Sequence, residues 1–338
     1  MYTKPIFFER NRVGRVYTGG KLFHDFFGDE AVDGYLPEEW IASGVRAKNE
    51  GSTIYNEGVS KVKDSDVYFD ELLKKYPNEL LGNGNKFRIL VKGLDSSIRL
   101  PAQAHPDKEF SKKHFNSEYG KTECWMILGT RPDAKIYFGF KDWVTKEDFE
   151  AAIDASETDP KAMENLMCEI EPKINEVYLV PARTVHAIGS GCLILEIQEP
   201  TDFTIQPERY CGEYRLSDNE MYLGLSREDS VSCFDFKSSP DTKMKPVITQ
   251  NDNGVIKESI VSEKNTDCFI INKITLSGGE YTPALNNSYA VYIATNGSGK
   301  ITGDNYTKEI KKGDYFFMPA AAMDKYKITG NLEIVECY

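Results

Sequence analysis

The sequence predicts a mainly β protein, two barrels or sandwiches of short antiparallel strands with a small helical insertion in the first. Three observations carry that expectation. From Lys86 onward the chain is cut into short apolar segments, among them KFRILVKGLD, TECWMILG, AKIYFGF and GCLILEIQ, each bounded by Gly, Pro or Asp. One stretch breaks this texture: VTKEDFEAAIDASETDPKAMENLMCEIE, where Thr145 followed three residues later by Asp148 reads as a helix cap. Beyond residue 265 the text is again short strands, with tight turns at Ser277-Gly278-Gly279, Asn296-Gly297 and Gly303-Asp304.

With 338 residues the chain is long enough for two cores. The expected division is 1–237, carrying the helical insertion near 145–170, and 238–338. Residues 1 to about 84 read as lid and periphery, with one helix in YFDELLKKYPNELLG, where Phe69, Leu72, Leu73 and Tyr76 recur at helical spacing. Residues 238–265 are polar and turn-rich, and fit an exposed connection or short edge hairpins. A weak internal repeat pairs Asn175–Pro181 with Gly313–Pro319; five residues past the proline the first copy has His186 and the second Asp324.

Charge excludes some partners. Forty-one basic against 53 acidic residues leave a net charge of -12, with no basic stripe to meet a nucleic-acid backbone. A small phosphorylated substrate stays compatible, since local cations in a cleft outweigh a distant net charge. No apolar run approaches the ~20 residues that span a bilayer, and MYTKPIFFERNRVG lacks a signal-peptide core, so no membrane association and a cytoplasmic location are expected. The seven cysteines are widely and irregularly spaced with no CxxC pair, as expected of reduced thiols.

Four residues form a candidate metal site: Gln103, His105, Glu123 and His186. Gln103 and His105 are two apart on one strand and share a face; Glu123 opens the next strand, and His186 follows the turn PARTV. Nitrogen and oxygen donors without thiolate suit Zn, Fe, Mn or Co, with Zn favoured. The competing reading has two ordinary buried histidines, a solvent-facing Gln103, and Glu123 paired with a lysine. Trp40 and Trp125 alternate with apolar residues and read as core rather than as sugar platforms.

At these residues the chain resembles the type I mannose-6-phosphate isomerases, zinc enzymes of the cupin superfamily. The family's Gln-x-His-Pro-Asp is Gln103–Asp107, its Gly-Lys-Thr-Glu-Cys-Trp is Gly120–Trp125, and its Val-Pro-x-x-x-x-His is Val180–His186, followed by a strand ending in Glu196. Earlier pieces agree: Gly19–Leu22 with Phe27-Gly28, Glu39–Ser43 against the family's Gly-Glu-x-Trp, and Lys92–Asp95. The resemblance implies two cupin-type β-barrels or jelly rolls, the second without metal. It further implies one Zn2+ per chain on Gln103, His105, Glu123 and His186, a sugar phosphate as substrate, and aldose–ketose exchange through a cis-enediol. A monomer or homodimer is expected. Lys92 and Lys121 resemble family lysines and are the expected anion partners.

Two departures bear on activity. Thr18 stands where the family has tryptophan. In the family's Ser-Asp-x-Thr-Tyr-Arg, whose arginine is held to contact substrate, this chain reads Thr201-Asp202-Phe203-Thr204-Ile205-Gln206. A glutamine brings no charge to a site where negative charge develops. Arg209 is the expected substitute if the chain bends there. The general base is expected at Glu196, with Glu199, Asp202 and Glu208 as alternatives. The lost Tyr-Arg pair keeps a second expectation open, a metal-binding cupin acting on another sugar or serving as a sensor.

Overall fold

Why the short segments become strands is plain in Cys192–Gln198, at the middle of a six-stranded antiparallel sheet. Its sequence, CLILEIQ, is apolar on both faces because both faces are covered. Ile194 packs into one core with Trp125, Ile127, Phe138 and Tyr178. Leu193, Leu195 and Ile197 point the other way, into a second core shared with Val291, Ile293, Phe317 and Val335. The computed structural model describes residues 3–237 and 242–338.

The six-stranded sheet runs in the order Arg12–Val13, Glu38–Ile41, Leu90–Ser96, Cys192–Gln198, Glu123–Thr130, Val177–Val180. A three-stranded sheet, Met167–Ile170, Ile136–Phe140 and His186–Ile188, closes over its inner face. The remaining large sheet has eight strands. Its order is Ile6–Phe7, Tyr315–Met318, Ala290–Gly303, Lys327–Cys337, Ile271–Tyr281, Val255–Val261, Val247–Asp252, with Tyr306–Lys311 paired to Ala290–Gly303. The molecule is therefore mainly β, with the cupin-like architecture that the sequence predicts.

Residues 1–84 depart from the lid-and-periphery expectation. Arg12–Val13 and Glu38–Ile41 extend the six-stranded sheet, and Ile6–Phe7 pairs with Phe316–Phe317 of the other. The segments were too short for periodicity to show, and Trp40 and Ile41 are fully buried. The predicted helix is split at Pro77 into Phe69–Lys75 and Pro77–Leu81, since proline cannot donate to the turn before it. Within the expected insertion the helix is Lys146–Ala155, started by a reciprocal Thr145–Asp148 capping box, and strand returns at Met167.

The polar stretch after residue 241 ends in an edge hairpin, Val247–Asp252 against Val255–Val261. The expected boundary at 237/238 abuts residues 238–241, which lie outside the described residues. In the internal repeat, Asn175 and Gly313 both take the left-handed backbone that turns the chain into the following strand. The cysteines carry no disulfide, and all but Cys168 are buried.

Candidate metal centre and its cavity

Strand geometry gathers the site. Gln103 and His186 face each other across an antiparallel bridge, exchanging backbone hydrogen bonds of 2.9 Å in both directions. Side chains of such a pair emerge on one face. Glu123 lies at the start of its own strand, opposite Gln198 on one side and Val180 on the other. The preceding turn approaches closely. Lys121 N–H donates to Pro106 C=O at 2.9 Å, and a Cβ on Gly120 would lie 2.6 Å from that same oxygen.

His105 Nε2 stands 3.2 Å from His186 Nε2 and 3.2 Å from Glu123 Oε2, while His186 Nε2 is 3.4 Å from Glu123 Oε1. All three residues are buried. Each imidazole has its Nδ1 on a backbone carbonyl, His105 on Phe203 O at 2.8 Å and His186 on Thr184 O at 2.9 Å. A carbonyl only accepts, so both Nδ1 atoms carry the proton and both Nε2 atoms are acceptors, that of His105 taking Lys121 Nζ at 3.0 Å. Glu123 Oε2 is buried without a hydrogen bond.

Two lone pairs and an anionic oxygen facing one another at these distances repel unless a cation offsets them, a role the Lys121 ammonium fills from one side, 3.0 Å from His105 Nε2 and 3.5 Å from Glu123 Oε2. That donor set, two neutral imidazoles and a carboxylate, with Gln103 bridged to His186 and lining the adjoining cavity, fits a divalent ion of the zinc type. Protonation keeps it so. Burial, then the Lys121 charge, hold His105 down to about 3. Burial would raise Glu123, but His105 and Lys121 pull it well below the usual carboxylate range.

A row of residues runs across the sheet beside this cluster. Trp40, Lys92, Glu196 and Trp125 are register partners on four neighbouring strands. Trp125 Nε1 donates to Glu123 Oε1 at 2.9 Å and to Glu196 Oε1 at 3.2 Å. Lys92 Nζ lies 3.1 Å from Glu196 Oε2, off the direction of a hydrogen bond, and 3.9 Å from Glu38. Burial would lower Lys92, yet Glu196 and Glu38 raise it; burial and the charge of Glu123 push the Glu196 carboxyl up. Glu38 takes Trp40 Nε1 and Tyr17 Oη, each at 2.6 Å, and Arg15 Nε at 3.0 Å. Arg15 closes the series on Asp202 at 3.0 Å.

The sequence reading missed Arg15, Tyr17, Glu38 and Lys48. One signal for Glu38 was present. Glu38-x-Trp40 has the spacing of Glu123-x-Trp125, and in each strand the indole N–H reaches the acid two residues back. Both tryptophans are core, as predicted, but each also holds a carboxylate. Lys92 and Lys121 are buried rather than surface lysines; Lys121 Nζ stands 3.0 Å from His105 Nε2 and 3.5 Å from Glu123 Oε2. Gly19 lets the backbone approach Asp95, whose carbonyl would sit 1.8 Å from a Cβ there, so this glycine serves a turn and not a ligand.

Gln103, Lys92, Lys121 and Glu196 all line one cavity of about 620 Å3, together with Arg15, Lys48, Asp202 and Gln206. Arg209 does not reach it. The chain does turn here, Glu208 N–H reaching back to Gln206 C=O at 2.7 Å, but the guanidinium is held by Glu157, Asp218 and the carbonyl of Leu216, away from the cavity. Ile205 is fully buried in the core, and Gln206 donates to the carbonyl of Glu220 at 3.3 Å.

Comparison with known proteins gives a consistent result. Residues 260–338 match the family model described as mannose-6-phosphate isomerase, cupin domain. The chain is 29% identical over 335 residues to the probable mannose-6-phosphate isomerase GmuF of Bacillus subtilis strain 168, covering 98% of each. Against the mannose-6-phosphate isomerase ManA of that organism it is 29% identical over 342 residues, covering 99% of each. The crystal structure of the Bacillus subtilis mannose 6-phosphate isomerase superposes with a TM-score of 0.80 at 25% identity, covering 99% of both chains. Fold, motif order and full-length likeness agree: the chain belongs to the type I mannose-6-phosphate isomerase family of the cupin superfamily.

Proposed function

We propose that this isomerase interconverts mannose 6-phosphate and fructose 6-phosphate through a cis-enediol. One Zn2+ per chain would be held by Gln103, His105, Glu123 and His186 in an amino-terminal unit, with the carboxy-terminal unit free of metal. The observation that carries the reading is the convergence of two unprotonated Nε2 atoms, 3.2 Å apart, on a carboxylate oxygen without a hydrogen bond, next to a polar cavity. When bound, such an ion supplies Lewis acidity toward the carbonyl and neighbouring hydroxyl of an open-chain sugar.

The chain's own residues do the rest. Among the four candidate bases, Glu199 is occupied by the N–H groups of Gly120 and Thr122, Glu208 by Arg99 and Ala102, and Asp202 by Arg15 and Lys48 N–H. Glu196 keeps a buried oxygen without a hydrogen bond. Its raised pKa suits a group that takes a proton from one carbon and returns it to the next. Lys92 orients Glu196 and balances its charge. Lys121, its pKa lowered chiefly by burial, is placed to steady or protonate the oxygen on which charge develops.

Elemental analysis of protein purified without chelator, paired with a coupled assay on mannose 6-phosphate, tests this. The expected result is one zinc per chain with turnover, and loss of both in His105→Ala. Full metal occupancy in His105→Ala would defeat the ligand assignment. Gln206 in place of the family arginine favours a second reading, a metal-binding cupin for another sugar or a sensor; metal without turnover of mannose 6-phosphate is its signature.

A further inference from the structure

Four cations line the cavity, and three are already committed. Arg15 spends its guanidinium on Glu38, Asn49 and Asp202. Lys92 lies between Glu196 and Glu38, and Lys121 between His105 and Glu123. Lys48 differs. Its backbone N–H donates to Asp202 Oδ2 at 2.8 Å, which ties the residue to the site, while its ammonium lies 4.6 Å from the centre of the Phe203 ring and has no carboxylate within ion-pair distance among the described residues. The carbonyl of that same Phe203 holds His105 Nδ1.

We propose that Lys48 anchors the phosphate of the substrate; the assignment rests on the sugar-phosphate reading above. An ammonium packed on an aromatic face leaves its three donors free for phosphate oxygens. Surrounding charge sharpens the need for it. Glu50 and Glu220 also line the cavity, and both are tied to Ser217, Glu50 Oε2 accepting from its hydroxyl at 2.5 Å and Glu220 Oε2 from its N–H at 2.7 Å. Without Lys48 this part of the cavity is acidic and repels a phosphate dianion. Gln206, which holds the position of the family arginine, adds no charge to offset them.

The test uses the metal-loaded full chain and three forms: wild type, Lys48→Met and Lys48→Arg. Lys48 is exposed, so the fold is expected to survive, and equal melting temperatures check this. In Lys48→Met, KM for mannose 6-phosphate and the inhibition constant of inorganic phosphate should both rise about tenfold or more, the loss falling on KM more than on kcat, with recovery in Lys48→Arg. Unchanged KM and unchanged phosphate inhibition in Lys48→Met, alongside an active wild type, overturn the assignment of Lys48 alone. A wild type that isomerises an unphosphorylated hexose and ignores inorganic phosphate overturns both the assignment and the sugar-phosphate reading.

Discussion

Each of the two large sheets buries carboxylates, and two in the six-stranded sheet differ from the one at the heart of the eight-stranded sheet. In the eight-stranded sheet Glu336 is fully buried and fully satisfied. Lys257 and Asn272 donate to Oε1, each at 2.9 Å, and the hydroxyls of Tyr281 and Tyr292 donate to Oε2, each at 2.6 Å. In the six-stranded sheet Glu123 and Glu196 are buried just as deeply, yet each retains an oxygen that no hydrogen bond reaches. A buried acid surrounded by donors is structural, because nothing is left for a ligand to satisfy. An unbonded one beside unprotonated imidazole nitrogens is poised for a cation, or for a proton in transit.

The largest expected effect comes from making the same change in both places. Glu123→Gln should weaken metal retention and activity by roughly a hundredfold or more, while the melting temperature of the metal-free chain holds or rises. The new amide N–H replaces an unbonded oxygen and faces lone pairs it can satisfy. Glu336→Gln should leave metal content and kcat alone but destabilise the fold by about 3 kcal/mol, since the half-buried Lys257 ammonium loses its counter-charge and the amide N–H displaces acceptor contacts with Lys257 and Asn272 or with the two tyrosine hydroxyls. Denaturant melts with metal analysis read both, and equal destabilisation at the two sites would erase the distinction.

A smaller effect separates the two acids of the six-stranded sheet. Glu196→Gln should retain metal and lose roughly 10²–10⁴ in kcat, as expected of a group that moves a proton. Loss of metal in that variant, in parallel with activity, would make Glu196 a support for the ion instead. Smallest is a pH effect on stability. His105 is held down to about 3 in the fold against 6.5 when free. Between those values the unfolded chain binds a proton that the folded one refuses, so the metal-free protein loses stability as pH falls below about 6.5. The slope is at most about 1.4 kcal/mol per pH unit for this one group. Thermal melts from pH 7.5 to 5 measure it, and His105→Asn should flatten the curve.

The candidate cluster was legible in the sequence because His105, Glu123 and His186 sit at strand tips with distinctive spacing: His105 two residues after Gln103, Glu123 at a strand start, His186 after a turn. The Thr145–Asp148 helix start was legible for a similar reason, since the whole cap is local. Arg15, Glu38 and Asp202 were not, for their partnership joins residues 187 apart in the chain and depends on two-residue strands that leave no periodic trace. Arg209 failed as a substitute because sequence gives distance along the chain and not direction. The burial of Lys92 and Lys121 was hidden by composition, which places lysine outside unless partners such as Glu196 and Glu123 are known.

The pairing of Ile6–Phe7 with Phe316–Phe317 bears on how the polypeptide is assembled. The earlier-made segment must wait for the later one before its backbone groups find their partners, and the bond from Tyr315 to Glu39 fastens the same junction. Closure over so long a loop is slow relative to hairpin formation. The carboxy-terminal sheet thereby takes its edge strand from the opposite end of the fold, and a ribosome stalled between the two would present Ile6–Phe7 to chaperones without its partner strand.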